Sequence, residues 1–241
     1  MSAAKSPYYG LVGTPSNLES LYRARYSKRW IDKVYQALLP PLPLVADPAE
    51  LDVRAPLGKH NLYIGGAGCA VEGYVNVDLY PMAGVDVVAD AAHLPFREDL
   101  FTRVECDAVL EHVIDPEPVM REIERTLEPG GYVHIVTPFC HPFHEYPKDF
   151  RRFTIDGLRQ LGRNLEFVKG GWRTGPTATM LVFGLEYVKI VLPWKPARVI
   201  THGVLGWLLF PLRYIDVILR RSPRFGQIGN HCYVWLRKPG P

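Results

Sequence analysis

The sequence predicts an α/β protein built on a doubly wound, mostly parallel sheet. From residue 61 onward, short apolar runs alternate with turns rich in Gly and Pro. A clearly delimited helix separates two of these runs, and near-continuous apolar strands broken by helices are typical of a parallel sheet covered on both faces. The predicted strands are 61–64, 74–78, 86–90, 103–109, 132–138, 165–172 and 231–238.

The predicted helix at 116–127 has distinct start and stop signals. Asp115 is a suitable N-cap, and Pro116 occupies the first helical position, where its missing N–H costs nothing. The segment 128–131, Glu-Pro-Gly-Gly, predicts a turn between this helix and the following strand. Upstream, residues 17–39 have apolar residues near helical spacing and predict an amphipathic helix, which the proline-rich stretch 40–43 ends.

Composition excludes several classes of protein. The chain has 241 residues, of which 47% are hydrophobic and 22% charged, so disordered and low-complexity classes are excluded. The net charge of +3 is too small to indicate a nucleic-acid partner, and none is expected. The four cysteines form no CxxC pair, which favours free thiols in a reducing compartment. They are Cys69, Cys106, Cys140 and Cys232.

No targeting segment or membrane span stands out in the sequence. The first 13 residues contain no apolar run of the signal-peptide type. The longest uncharged stretch near the C-terminus, 199–212, has 14 residues, whereas a bilayer crossing needs about 20. We therefore expect no transmembrane helix and a cytoplasmic location.

A glycine cluster, Ile64-Gly65-Gly66-Ala67-Gly68, follows the first predicted strand. Open parallel sheets bind ligands at the carboxyl ends of their strands, and glycine lets the backbone approach a ligand closely. The second strand ends at Asp78, where a carboxylate is suited to the two ribose hydroxyls of a nucleoside. The third ends at Asp90, where a carboxylate can accept from an adenine amine. The alternative for each aspartate is that it caps the following turn.

These segments resemble the class I S-adenosylmethionine-dependent methyltransferases, in the broad group called methyltransferase type 11. The resemblance covers residues 61–138 and continues to about residue 161. It is carried by YIGGAGCAVEGYVNVD, VVADAAHLPF, the LEHV after the fourth strand, and LEPGGYVHIVTP. The resemblance implies a Rossmann-like, mostly parallel seven-stranded sheet with an antiparallel last strand. It also implies S-adenosyl-L-methionine as the cofactor.

The resemblance also implies positions for the cofactor. The glycine loop would hold its methionine part, the acid after the second strand its ribose, and the acid after the third strand its adenine. The residues that this implies are Ile64, Gly65, Gly66 and Gly68 at the loop, Asp78 and Leu79 at the ribose, Asp90 and Ala91 at the adenine, and Asp107 and Ala108 near the methionine end.

Two departures from the family pattern affect this expectation. The usual acid before the glycine run is Tyr63, and one customary glycine is Ala67. They keep open a second hypothesis, a non-catalytic interaction protein that retains the fold. A dinucleotide oxidoreductase is disfavoured because the G-x-G-x-x-G spacing is missing.

A third departure is charged residues, Arg103 and Glu105, on a strand that the family usually keeps apolar. They either pair at a sheet edge or mark a wrong strand boundary.

The segment 138–153, PFCHPFHEYPKDFRRF, follows the fifth strand and therefore faces the ligand crevice. Neutral imidazole can accept a proton from an acceptor hydroxyl. The alternative is that the aromatic side chains pack this segment down while its charges are solvated. No metal site is expected, since His141 and His144 lack a third ligand at a clear spacing. His112 is expected to support its neighbours, and Arg151-Arg152 either binds an anionic acceptor or precedes a helix at 154–162, N-capped by Thr154. The candidate catalytic residues are His141, His144 and Tyr146, with Glu145 and Asp149 as further candidates.

The division expected from these patterns is an N-terminal helical extension at 1–50 and a methyltransferase domain at 51–241. Within the domain, 173–230 is an apolar helical insert before the last strand. Part of it, 180–221, is interpreted as a lid, a dimer surface or a peripheral membrane contact. The predicted function is in-line methyl transfer to a hydroxyl or similar group of a small-molecule, glycan-like or lipid-linked acceptor.

Overall fold

The computed structural model describes residues 50, 53, 55, 57–66, 71–144 and 148–240. The predicted N-terminal helix at 17–39 lies outside these residues, as do Gly68, Cys69 and Tyr146. The strands are β1 Asn61–Ile64, β2 Val75–Asp78, β3 Val87–Val88, β4 Phe101–Asp107, β5 Leu127–Pro138, β6 Glu166–Trp172 and β7 His231–Arg237. The helices are α1 Pro116–Thr126, α2 Ile155–Leu161, α3 Pro176–Val191, α4 Lys195–Leu209 and α5 Ile215–Leu219.

The seven strands form one sheet in the order β3-β2-β1-β4-β5-β7-β6. Strands β1 to β5 run parallel to one another, whereas β7 lies antiparallel between β5 and β6. The predicted Rossmann-like sheet with an antiparallel last strand is therefore confirmed. All five parallel strands point their carboxyl ends to one edge, the edge at which such sheets bind ligands.

Helix α1 packs against the sheet as its punctuation predicts. The Asp115 side chain accepts a hydrogen bond from the Glu117 N–H at 3.1 Å, and Pro116 occupies the first turn. Val119, Met120 and Ile123 are buried in the core with the central strands. Burying apolar side chains of this size contributes about 1.5–3 kcal/mol each, so packing holds the helix in place.

The segment 128–131 differs from its prediction as a turn, because β5 already begins at Leu127. A register shift in β4 between Phe101 and Arg103 accommodates the extra residues. Gly130 has φ +82°, and its N–H donates to the Lys238 carbonyl at 2.9 Å. The Pro-Gly-Gly signal therefore marks an irregular part of a strand.

Arg103 and Glu105 lie on β4, which is paired on both sides, so the sheet-edge interpretation was wrong. Arg103 Nε donates to Glu105 Oε1 at 2.6 Å, and the other carboxylate oxygen lies 2.8 Å from His134 Nδ1. Glu50 Oε1 lies 3.1 Å from Nε2 of the same histidine and also accepts from Arg173. Glu105, His134 and Glu50 are buried in the middle of this row, where the oppositely charged neighbour of each group offsets the cost of its burial.

The segment between β6 and β7 is helical and contains α3, α4 and α5. Its two ends are joined, because the Arg173 N–H donates to the His231 carbonyl at 2.9 Å and the Asn230 N–H to the Thr174 carbonyl at 3.1 Å. Within the segment, Asp216 joins α5 to the start of α3, because its carboxylate accepts from the backbone N–H groups of both Thr177 and Ala178.

One continuous helical run, Ile200–Leu219, is 20 residues long and apolar enough by length and composition to cross a membrane; only 11% of it is buried. The uncharged stretch 199–212, on which the sequence-based expectation rests, has only 14 residues because it ends before Arg213. The run is longer because Pro211 lies at the start of a 3-10 turn, Phe210–Tyr214, that continues directly into α5. Proline is accepted there because the first turn of a helix needs no N–H.

Candidate functional site

The glycine turn after β1 needs glycine at Gly65. Its φ is +76°, and its N–H donates to the Val77 carbonyl at 2.9 Å. A Cβ at this position would lie 2.2 Å from Val109 Cγ2, so a side chain would displace the segment that follows β4. Ile64 is buried just before it and fixes the turn to the core. Gly66 is the last described residue of this turn.

Asp78 and Asp90 stand at successive positions along the carboxyl edge of the sheet. Asp78 Oδ1 accepts from the Tyr80 N–H at 3.2 Å, and Asp90 Oδ1 from the Ala92 N–H at 2.9 Å. Both therefore cap their own turns, as the alternative interpretation proposed. A carboxylate offers about four acceptor positions, so capping orients the group and is compatible with binding a ligand. Leu79 and Ala91 follow the two aspartates directly and are half-buried.

Asp107 and Ala108 end β4 beside the glycine turn. Ala108 has φ +54°, a left-handed conformation that is uncommon for a residue other than glycine, and its N–H donates to the Val136 carbonyl. Asp107 Oδ2 lies 2.7 Å from Arg173 Nη1. The ion pair joins this edge of the sheet to the start of the helical segment, a connection that no sequence pattern indicates.

Four histidine rings form a row beyond the carboxyl ends of β4 and β5. The ring centroids of His112 and His144 are 5.0 Å apart, those of His144 and His141 are also 5.0 Å apart, and His141 and His231 follow at 5.1 Å. His141 Nδ1 is 2.9 Å from Asn230 Oδ1. Burial lowers the pKa of all four rings, to about 3 for His231, which favours neutral imidazole.

Asp149 and Arg152 form a tight ion pair under this row. Asp149 Oδ2 accepts from Arg152 Nη2 at 2.6 Å and from the His144 N–H at 2.9 Å. Burial alone would raise the pKa of Asp149, but Arg152 holds it at about 2. Arg151 donates to the Ile114 carbonyl. Both arginines are therefore engaged within the protein, which disfavours the interpretation that they bind an anionic acceptor; Thr154 caps α2 as predicted.

Glu111 occupies the inner end of the histidine row. It lies on a short 3-10 turn, Leu110–His112, and its side chain is fully buried. Within the part of the chain that the structure describes, neither carboxylate oxygen has a hydrogen-bond partner. Burial raises the pKa of Glu111 to about 8. Buried carboxylates normally have partners, so this one indicates a group that the protein side chains do not supply.

The sequence-based site prediction gave no role to Glu111, Arg173 or Asn230. The adjacent Glu111-His112 pair was visible as part of LEHV, but its partner His144 is 33 positions further on. The expectation of no metal site rested on the missing third ligand near His141 and His144. The structure places Glu111 and His112, on the loop after the neighbouring strand, close to His144, because parallel neighbours end at the same edge; His141 is not part of this group.

This arrangement of strands, with a glycine turn after β1 and acids after β2 and β3, defines the class I methyltransferase fold. A structure described as a methyltransferase from Bacillus halodurans has the same fold, with a TM-score of 0.51 and 15% sequence identity; the match covers 80% of this chain and 99% of that one.

Residues 73–135 match the family model for the methyltransferase domain. Over 143 residues the chain is 30% identical to the methyltransferase GfsG of Streptomyces halstedii, a match covering 53% of this chain and 49% of that protein. It is 32% identical over 108 residues to the demethylmenaquinone methyltransferase of Clavibacter sepedonicus, covering 41% and 44%. The chain thus spans about half the length of these relatives. The resemblance to the class I S-adenosylmethionine-dependent methyltransferases is confirmed.

Proposed function

We propose that the protein transfers a methyl group from S-adenosyl-L-methionine to a small-molecule acceptor, at a hydroxyl or similar nucleophile. The observation that carries this proposal is the sequence of polar groups along one sheet edge. Gly65 makes the positive-φ turn after β1, and Asp78 and Asp90 are fixed at the next two strand ends. The match of residues 73–135 to the methyltransferase domain supports it, since it includes both aspartates.

The residues of the edge fit the parts of this cofactor. The glycine turn, in which Gly65 packs against Val109, lies beside Asp107 and Ala108, where the methionine part would bind. The Asp78 carboxylate is suited to accept from the ribose hydroxyls and the Asp90–Ala91 segment to bind adenine. The cofactor supplies an electrophilic methyl group on a sulfonium centre. The chain has to align the acceptor with it, and alignment supplies much of the rate of such a displacement.

The acceptor would lie against the loop after β5. Neutral His141 is oriented by Asn230 and is the candidate to take a proton from the acceptor. His144 and Tyr146 remain candidates for contacting the acceptor. Two relatives are named as demethylmenaquinone methyltransferases, which supports a small-molecule acceptor; glycan-like and lipid-linked acceptors remain the alternatives.

Calorimetric titration with S-adenosylhomocysteine tests the cofactor assignment. The Asp78→Ala variant should bind this product about 10-fold or more weakly than the wild type, because hydrogen bonds to a charged group contribute about 1.5–3 kcal/mol. Asp156→Ala is a matched control, since Asp156 is an exposed aspartate on α2. Absence of binding to the wild type, or equal binding by Asp78→Ala, would refute the assignment.

A second candidate function uses the exposed apolar helices. Ile200, Val204 and Leu208 are each at least 60% exposed and recur every four residues along α4. Such a face, with Arg213, Arg220, Arg221 and Arg224 following it, suits an in-plane contact with an anionic membrane surface. This function needs no cofactor, and it would place the protein in the cytoplasm at the membrane. A lid and a dimer surface are the alternatives for the same face.

Flotation with anionic phospholipid vesicles tests this second function. The wild type and a variant with Asp78 and Gly66 both replaced should float equally, whereas Ile200→Asp should not float. Sedimentation equilibrium without lipid shows whether the face instead joins two copies. If no vesicle binding is seen, or if Ile200→Asp floats like the wild type, the membrane contact is wrong.

A further inference from the structure

We propose that Glu111, His112 and His144 bind a divalent transition-metal ion, of which Zn²⁺ is the best match. One ligand atom from each residue lies within 4.8 Å of the other two. Glu111 Oε1 is 3.7 Å from His112 Nε2 and 3.9 Å from His144 Nε2. Two ligands of one tetrahedral zinc ion lie about 3.3 Å apart, given bonds of about 2.0–2.1 Å, so small side-chain movements would close the site.

The orientation of both imidazole rings supports this site. His112 Nδ1 is 2.5 Å from the Lys148 carbonyl, which can only accept, so Nδ1 carries the hydrogen. His144 Nδ1 faces two acceptors in the same way, the Pro142 carbonyl at 3.4 Å and Asp149 Oδ2 at 3.5 Å. In the neutral rings both Nε2 lone pairs are therefore left to face the Glu111 carboxylate. Histidines that bind metals typically donate their other N–H to a carbonyl or carboxylate in this manner.

The Glu111 carboxylate is the second, independent observation. Its side chain is fully buried, and no described residue donates a hydrogen bond to either oxygen. Two imidazole lone pairs and the Oε1 atom of this carboxylate thus converge with no donor among the described residues. A cation between them would satisfy all three side chains at once. A proton on Glu111 would reach one neighbour only.

The ligand set selects the class of metal. Two imidazoles and one carboxylate suit Zn²⁺ and its transition-metal neighbours, whereas Mg²⁺ and Ca²⁺ prefer oxygen ligands. Three protein ligands leave a fourth position open, as in catalytic zinc sites. The site lies beyond the carboxyl ends of β4 and β5, and Glu111 follows Asp107 by four positions in the sequence. If the proposed function holds, an oxygen of the acceptor would occupy the open position; the metal site itself does not depend on that function.

Calorimetric titration of tag-free, chelator-treated protein with ZnCl₂ tests the site. We expect one Zn²⁺ per chain in the wild type and in His60→Ala, a matched control that removes an exposed histidine at the opposite end of β1. His144→Ala should bind Zn²⁺ at least about 100-fold more weakly, because the loss of residues that merely orient a ligand already costs 10–100-fold. MgCl₂ should give no heat under the same conditions.

Glu111→Gln should weaken Zn²⁺ binding as strongly, and if this buried substitution prevents folding, the partly exposed His144 still decides the question. Absence of stoichiometric Zn²⁺ binding by the wild type would overturn the site, as would unchanged binding by His144→Ala. Titration of the same samples with S-adenosylhomocysteine separates the two proposals. Product binding without Zn²⁺ binding refutes only the metal site, and Zn²⁺ binding without product binding refutes only the proposed function.

Discussion

The sheet and the helical segment between β6 and β7 contain the same kinds of apolar side chain but bury them differently. Leu62, Ile123 and Ile135 are completely buried around the sheet, whereas Ile190, Ile200 and Ile218 are each more than 60% exposed in the helices. Among the described side chains of α3, α4 and α5, only those of α3 include several buried apolar residues. The sheet is thus stabilised by its core, while the outer helices present apolar surface that the described residues do not cover.

The largest difference between the two regions should appear in stability. Ile123→Ala removes a buried side chain from α1 and should lower the free energy of unfolding by about 2–5 kcal/mol. Ile218→Ala makes the same change at a residue that is 72% exposed and should stay within about 0.5 kcal/mol. Urea unfolding of both variants measures this. Equal losses would mean that the outer helices are packed in solution against something other than the described residues.

A smaller loss of stability is expected when the contact between α5 and the start of α3 is removed. Asp216→Ala removes the carboxylate that accepts from Thr177 and Ala178 at the start of α3 and should cost about 1–2 kcal/mol. Asp156→Ala, at an exposed position in the first turn of α2, is the control with little effect. Thermal unfolding reports both. If Asp216→Ala melts like the wild type, the helices are not closed by this contact.

The smallest expected effect is the pH dependence of stability that comes from the row of charged side chains around His134. Burial would lower the pKa of His134, but Glu105 and Glu50 raise it above 6.5. Burial would likewise raise the pKa of Glu50, but His134 and Arg173 lower it below 4.5. The histidine contribution to stability is therefore complete below pH 6.5 and is lost as the pH rises through its folded-state pKa; the Glu50 contribution is lost as the pH falls.

His134→Gln should remove the alkaline part of this dependence, an effect on the order of 1 kcal/mol. Melting temperatures of the wild type and variant at pH 6 and at pH 9 provide the measurement. The wild type should lose more stability than the variant on going to pH 9, after allowance for all other titrating groups, which the two proteins share. Parallel curves would show that folding does not raise the pKa of His134.

Much of the sheet was predictable because its strands are short apolar runs with glycine or proline at their ends. The elements at β1, α1, β6 and β7 fall within about one residue of their predicted bounds. The start of β5 was not predictable, since a Pro-Gly-Gly turn signal also fits an irregular strand when a neighbouring strand shifts its register. Local pattern cannot distinguish the two cases, because the difference lies in pairing with a distant segment.

The candidate site was predictable only where one chain segment carries the signal. The glycine turn and the aspartates at the ends of β2 and β3 follow directly from strand positions. The convergence of Glu111 and His144 depends on two loops after adjacent strands, and the ion pair between Asp107 and Arg173 spans 66 positions. Such contacts follow from strand order, which spacing along the chain does not contain.

The joined ends of the helical segment have a consequence for how the protein can change. Arg173 and His231, like Thr174 and Asn230, are hydrogen-bonded neighbours, so the 55 residues between Thr174 and Asn230 leave and re-enter the β6–β7 hairpin at one point. Because these ends are adjacent, a short turn could close the same hairpin without moving a strand, and the long segment itself adds only slowly to the entropy of closure. The segment is thus an exchangeable cassette, and a descendant chain could acquire a different surface there while its glycine turn and strand-end acids stay in place.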